Sequence, residues 1–280
     1  MDALATSVRD LPDCTMRVAC RLAAEGRGGS VVSCGNTGAI LVSAMLELGT
    51  VPGIDRPALA LSLPRADGGR LVLVDVGASA DARPAHLATF GLLGDALART
   101  LGVAAPRVGL LANGSERGKG RKLVREAWDE LAKLPLNFVG NVEPHDALAG
   151  AVDVLVCDGF TGNIVIKTAE GIVGLAKQLA SRHVEGSGRA AVGAWLLRPA
   201  LRDFAADLDW RKRGGAVLVG VRAPVVVGHG RSDAPAVDAA IRLAHYAQEQ
   251  ALGAELASRV QARAAAREAA FERDVGGDGA

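Results

Sequence analysis

Chemistry in this chain is concentrated in short glycine-rich loops, each following an apolar run. In Asp158-Gly159-Phe160-Thr161-Gly162-Asn163 a carboxamide stands one helical turn before Lys167, on the same face. Thr161 or Asn163 can cap the helix that follows, and Gly159 and Gly162 let backbone N–H groups face an anion. Amides, a carboxamide and an ammonium converging on one spot suit phosphate. The same residues also fit an ordinary strand-to-helix turn with a solvated lysine, and the loop alone does not decide.

Gly35-Asn36-Thr37-Gly38 offers similar geometry with neutral donors. Asn36 and Thr37 can orient a phosphate oxygen or a carbonyl, or simply cap a helix. Ser33 has no histidine nearby in sequence to activate it, which argues against a serine nucleophile. Cys34 fits a small packing residue better than a reactive thiol. Asp75, heading Asp75-Val76-Gly77-Ala78-Ser79, can organise a site, receive a proton or form an Asp turn. Lys119 is followed by Gly120 where a P-loop requires Ser or Thr, so nucleoside-triphosphate chemistry is unsupported. An anion contact and a solvated loop both remain open for that lysine. His229, between Gly228 and Gly230, can donate to an oxyanion, protonate a thiolate leaving group, or tie down a neighbouring loop. No carboxylate and histidine array has metal-ligand spacing, and no metal is expected.

Such loops need a scaffold that gathers strand ends. The spacing predicts strands over 30–32, 71–74, 108–112, 136–139, 152–157 and 224–227. It predicts helices over 39–48 and 123–131, and others starting near 84, 164 and 236. Valine and leucine runs alternating with helices indicate an α/β fold, a parallel sheet covered on both faces. In such sheets ligands bind outside the carboxyl ends of the strands, where these glycine loops fall. Residues 182–213 break the rhythm. Within them 183–188 reads as a flexible joint, and 190–208 as a helix or helix pair interrupted at Pro199 and projecting from the sheet. One domain over 1–273 and a frayed tail over 274–280 complete the reading.

The 32 basic and 31 acidic residues nearly cancel, so no global field draws the chain to nucleic acid. Any charged ligand must be held locally. Four cysteines without paired spacing point to a reducing, cytoplasmic setting rather than a disulfide framework. No signal sequence and no bilayer-spanning apolar stretch are read in the chain.

Taken in order, these stretches resemble the acyl-ACP:phosphate acyltransferase family of bacteria, PlsX. The likeness covers about residues 16–246. It rests on Thr15-Met16-Arg17-Val18, Gly35-Asn36-Thr37-Gly38-Ala39, Gly53-Ile54-Asp55-Arg56-Pro57-Ala58 and Asp75-Val76-Gly77-Ala78. It continues through Arg107-Val108-Gly109-Leu110-Leu111, Lys119-Gly120, Gly140-Asn141-Val142-Glu143, Val156-Cys157 with the Asp158 loop, Gly214-Gly215-Ala216 and His229-Gly230. Each motif alone is weak; the ordered set is specific.

The resemblance implies a three-layer α/β/α fold like isocitrate and isopropylmalate dehydrogenases, with a mainly parallel sheet and a helical protrusion. It implies a homodimer without metal or other cofactor. Phosphate would displace acyl carrier protein from a fatty acyl thioester, giving an acyl phosphate for phospholipid synthesis and a downstream glycerol-3-phosphate acyltransferase. Lys167, Asn163 and Lys119 would position phosphate, while Asn36, Thr37 or His229 would stabilise charge on the carbonyl oxygen. Gly35, Gly38, Asp75, Asp158, Gly159, Thr161 and Gly162 complete the expected substrate-binding set. Trp195, Leu196 and Leu197 would meet a membrane peripherally or be buried in the dimer. Attack by bound phosphate needs no enzyme nucleophile, in keeping with the missing triad.

The sequence also departs from the family. Its members begin with a further strand and helix carrying a Gly-Gly-Asp loop, which implies that part of the sheet is missing from this chain. Ala112 and Ser79 stand where asparagine is usual, Arg121-Lys122 where a polar–acidic pair is common, and Arg231 where a small residue is common. A catalytically impaired relative serving as a carrier-protein or membrane scaffold is the alternative, and a short-chain phosphotransacetylase is a third reading.

Overall fold

The computed structural model describes residues 8–263; the tail expected at 274–280 lies outside the described residues. The strands are β1 (Val31–Ser33), β2 (Ala58–Pro64), β3 (Arg70–Val74), β4 (Arg107–Leu111), β5 (Asn137–Val142), β6 (Val154–Val156), β7 (Ala216–Val219) and β8 (Val225–Val227). The helices are α1 (Thr15–Ala24), α2 (Thr37–Glu47), α3 (Pro84–Thr100), α4 (Lys122–Ala132), α5 (Pro144–Ala149), α6 (Gly159–Glu185), α7 (Gly188–Leu196), α8 (Arg198–Asp207) and α9 (Ala234–Glu249).

The described strands form one sheet in the order β1-β8-β7-β2-β3-β6-β4-β5. Side chains alternate across it, as strand geometry requires. Ala58, Ala60, Val72, Val74, Val154 and Val156 face a core shared with α3, α4 and α9. On the opposite face, Leu59, Leu218, Val225 and Val227 pack with α1 and α2. Further along that face Leu71, Leu73 and Leu155 pack with α5 and the start of α6. Helices cover both faces, which is the three-layer α/β/α arrangement.

The sheet is mixed. β1 pairs parallel with β8, and β3, β6, β4 and β5 form a parallel run. Between them β7 is antiparallel to both neighbours, and β2 is antiparallel to β7 and β3. Neither β2 nor β7 belongs to the strands expected from apolar runs followed by helices. Both lead into other strands, so neither is followed by a helix.

α3 starts at Pro84 as expected, while the other expected helices start earlier. Asn36 caps α2, its Oδ1 accepting from the amide of Ala39 at 2.9 Å. Asp158 caps α6, which begins at Gly159 rather than at 164. That helix runs into the predicted joint as far as Glu185, and the chain turns within it at Gly186 and Ser187. The second break falls at Leu197, with Pro199 accommodated in the first turn of α8. No residue of α7 or α8 is buried, so this arm does project. Among the described residues no helix is long and apolar enough to cross a membrane.

Candidate active site

Over β2 the helical layer parts. On this face α2 covers the part over β8 and β7 and α6 the part over β3 and β6, and between them lies a cavity of about 750 Å³. Its floor is Leu59, Leu61 and Leu63 of β2 with Leu71 and Leu73 of β3. α6 supplies Asn163, Ile166, Lys167, Glu170 and Lys177. Facing it are Gly35 and Thr37 at the start of α2 and the loop from Gly228 to Ser232 after β8. Arg211 and Arg213, where the arm returns, add to the rim.

One carboxylate joins the two walls. Nζ of Lys167 lies 3.9 Å from Oε2 of Glu170, and Nη2 of Arg231 lies 3.8 Å from the same oxygen. His229 is half-buried beside them. Its Nδ1 accepts from the amide of Arg231 at 3.3 Å, which in the neutral ring leaves the proton on Nε2. Burial, then the charges of Arg231 and Lys167, hold its imidazole below the ordinary value, with Glu170 opposing. A neutral ring with an Nε2–H donor is therefore the form present near neutral pH.

The Asp158 loop is a scaffold rather than an open amide nest, contrary to expectation. The amide of Gly159 donates to the carbonyl of Ser79 at 2.8 Å, and that of Gly162 to the carbonyl of Asp158 at 2.9 Å. The Asp158 carboxylate accepts from the amide and hydroxyl of Thr161 at 3.1 and 2.6 Å, and from Arg121. These amides have partners and none of them is left for phosphate. The two glycines serve close approach instead. A Cβ on Gly159 would stand 2.6 Å from Oδ2 of Asp75, and one on Gly162 would collide with the carbonyl oxygen of Asp75.

Asp75 is buried at the centre of this contact. It accepts from the amides of Leu59, Gly77, Ala78 and Ser79 at 2.9, 3.1, 2.9 and 2.6 Å. Burial pushes its carboxyl up and these amides pull it down, with burial prevailing. Asp75, Asp158, Gly159, Thr161 and Gly162 thus set the position of α6 without lining the cavity. Asn36 and Gly38 likewise stand behind Gly35 and Thr37. Lys119 is exposed on the loop between β4 and α4, away from the cavity residues. Cys34 backs the His229 loop, its Sγ 2.6 Å from where a Cβ on Gly228 would be, so it packs.

Of the expected residues, the fold gathers Lys167, Asn163, His229, Thr37 and Gly35. Sequence reasoning missed Glu170, Lys177, Arg211 and Arg213. Glu170 sits one turn after Lys167, a spacing that was legible; the arginines precede Gly214-Gly215, and only the return of the arm brings them here. Among the described residues no three His, Cys, Asp or Glu side chains are grouped to hold a metal.

Residues 1–254 match the family described as fatty acid synthesis protein. The chain belongs to that family. Among its relatives is the phosphate acyltransferase of Heliobacterium modesticaldum, 44% identical over 247 residues, spanning 88% of this chain and 73% of that protein. The phosphate acyltransferase of Myxococcus xanthus is 43% identical over 267 residues, spanning 93% and 75%. In three dimensions the chain resembles a phosphotransacetylase from Streptococcus pyogenes, with a TM-score of 0.57 at 19% identity over 84% of this chain and 67% of that one. It also resembles a branched-chain phosphotransacylase from Enterococcus faecalis, with a TM-score of 0.53 at 16% identity over 84% and 81%. At these identities the structural likeness speaks for the fold.

Proposed function

We propose that this chain is a phosphate acyltransferase that takes a fatty acyl group from acyl carrier protein. Relatives of that name at 43 and 44% identity support the reaction. The observation that carries the site is the meeting of Lys167, Arg231 and His229 above a leucine floor. Lys167 and Arg231 hold inorganic phosphate, displacing their contact with Glu170, and Asn163 orients it. A phosphate oxygen attacks the thioester carbon, and the carbonyl electron pair moves onto oxygen. The Nε2–H of His229 and the hydroxyl of Thr37 donate to that oxyanion. Collapse breaks the carbon–sulfur bond, and the proton shed by hydrogen phosphate leaves with the thiol. The products are an acyl phosphate and free carrier protein.

The arm supports a further part of this reading. Val192, Trp195, Leu196, Leu197 and Phe204 are 59–69% exposed. Ile172 and Leu175 continue the apolar surface on α6. Apolar surface on this scale marks contact with a second copy or a membrane surface. Purified protein incubated with hexadecanoyl carrier protein and phosphate should yield acyl phosphate and free carrier. Carrier-protein binding without product would replace the enzyme by a scaffold.

A further inference from the structure

The cavity is far larger than its chemistry needs. At about 30 Å³ for a group the size of water, 750 Å³ holds roughly 25 such groups. Phosphate and the reacting carbonyl fill about a third of that, by the same measure. The remainder lies over leucines. β2 pairs with β7 only as far as Ala60; beyond it Leu61 and Leu63 are paired with β3 alone, and both are only partly covered. Leu73 and Leu71 stand directly across from them. Ile166 and Val173 overhang from α6. Apolar sheet surface is normally sealed by a helix, since exposing it to water is unfavourable in proportion to its area. Here the gap between α2 and α6 leaves it open to a ligand.

The rim has the complementary chemistry. Lys167, Lys177, Arg211, Arg213 and Arg231 line the cavity. The acids paired with them are Glu170, Asp209 and Asp233, which leaves an excess of positive charge. Burial holds the Arg213 guanidinium below its ordinary value, a cation withdrawn from water beside an apolar slot. A long alkyl chain ending in an anionic head matches both surfaces.

We infer that the acyl chain lies along the β2–β3 leucine floor and that Leu61 and Leu63 set the preference for long over short chains. The inference rests on the acyltransferase reading and adds to it the part of the site that measures the chain. Octyl, dodecyl and hexadecyl phosphate serve as binding probes in calorimetry. Each methylene laid on the floor should tighten binding about fourfold until the floor is filled. Leu61→Phe and Leu63→Phe shorten the slot by raising its floor. Each should lower the ratio of kcat/KM for hexadecanoyl over octanoyl carrier protein about tenfold, with the melting temperature reporting that the fold is kept. Affinity that stays level from octyl to hexadecyl phosphate, or an unchanged ratio in both folded variants, overturns the inference and leaves the acyltransferase standing. Steep chain-length dependence of binding without transfer from any donor keeps the floor and removes the reaction.

Discussion

The Lys167 ammonium, on the third turn of α6, stands 3.9 Å from Oε2 of Glu170. Arg231 reaches the same oxygen from the loop after β8. The two cations therefore share one carboxylate across the cavity, and phosphate must compete with it. Lys167→Ala removes a charge-assisted contact of the kind that contributes about 1.5–3 kcal/mol. The KM for phosphate should rise about tenfold to a hundredfold, with a smaller effect on the acyl donor. An unchanged phosphate dependence in steady-state kinetics removes Lys167 from the site.

His229 makes a prediction about pH. Its imidazole is held below the ordinary value of 6.5, chiefly by burial and then by Arg231 and Lys167. The neutral ring is thus favoured in the folded protein, and it gains a proton only as pH falls through a value below 6.5. Its contribution to stability is complete above the ordinary value and is lost as pH falls. The rate should show no inflection from this group between neutral pH and 6.5. His229→Ala should lower kcat about a hundredfold, the cost of losing one oxyanion donor. A wild-type inflection above 6.5 that vanishes in the variant contradicts the assigned protonation state.

The contact between α6 and the Asp75 loop is tight enough to test by a single methyl. Gly162→Ala drives a Cβ into the carbonyl oxygen of Asp75, which is backbone and cannot rotate away. Overpacking of this kind destabilises by about 1–3 kcal/mol. Denaturant unfolding should show that loss, and Lys167 should move with the helix, raising the KM for phosphate. Full stability with wild-type kinetics would mean that α6 is not seated through this glycine.

The scaffold was legible where a strand ends in a glycine loop and a helix follows. Val156-Cys157-Asp158 and Val227-Gly228-His229 carry that signal, and Lys167 and His229 could be named from it. β2 was missed although Ala58-Leu59-Ala60-Leu61-Ser62-Leu63 alternates with period two. Its alanines and serine break the continuous apolar run that marks the parallel strands, and a strand entering a hairpin has no following helix. With β2 went the floor of the site. The purpose of Gly159 and Gly162 was also hidden. Glycine in a turn suits an anion or a close neighbour equally, and only the position of the Asp75 loop separates the two.

The arm offers a prediction about assembly. Trp195, Leu196 and Leu197 are 69, 65 and 59% exposed at the end of α7, farthest along the chain from both joints with the body. α7 touches α6 and α8 touches α7, and neither buries a residue against the sheet. Replacing all three by serine therefore disturbs no core and should leave the melting temperature within a few degrees. If the arm meets a second copy, light scattering should show the mass of the variant halved. If it meets lipid, sedimentation with vesicles should capture the wild type and lose the variant. Unchanged mass together with unchanged vesicle binding would exclude these three side chains from both contacts and leave Ile172 and Leu175 on α6 as the apolar surface to account for.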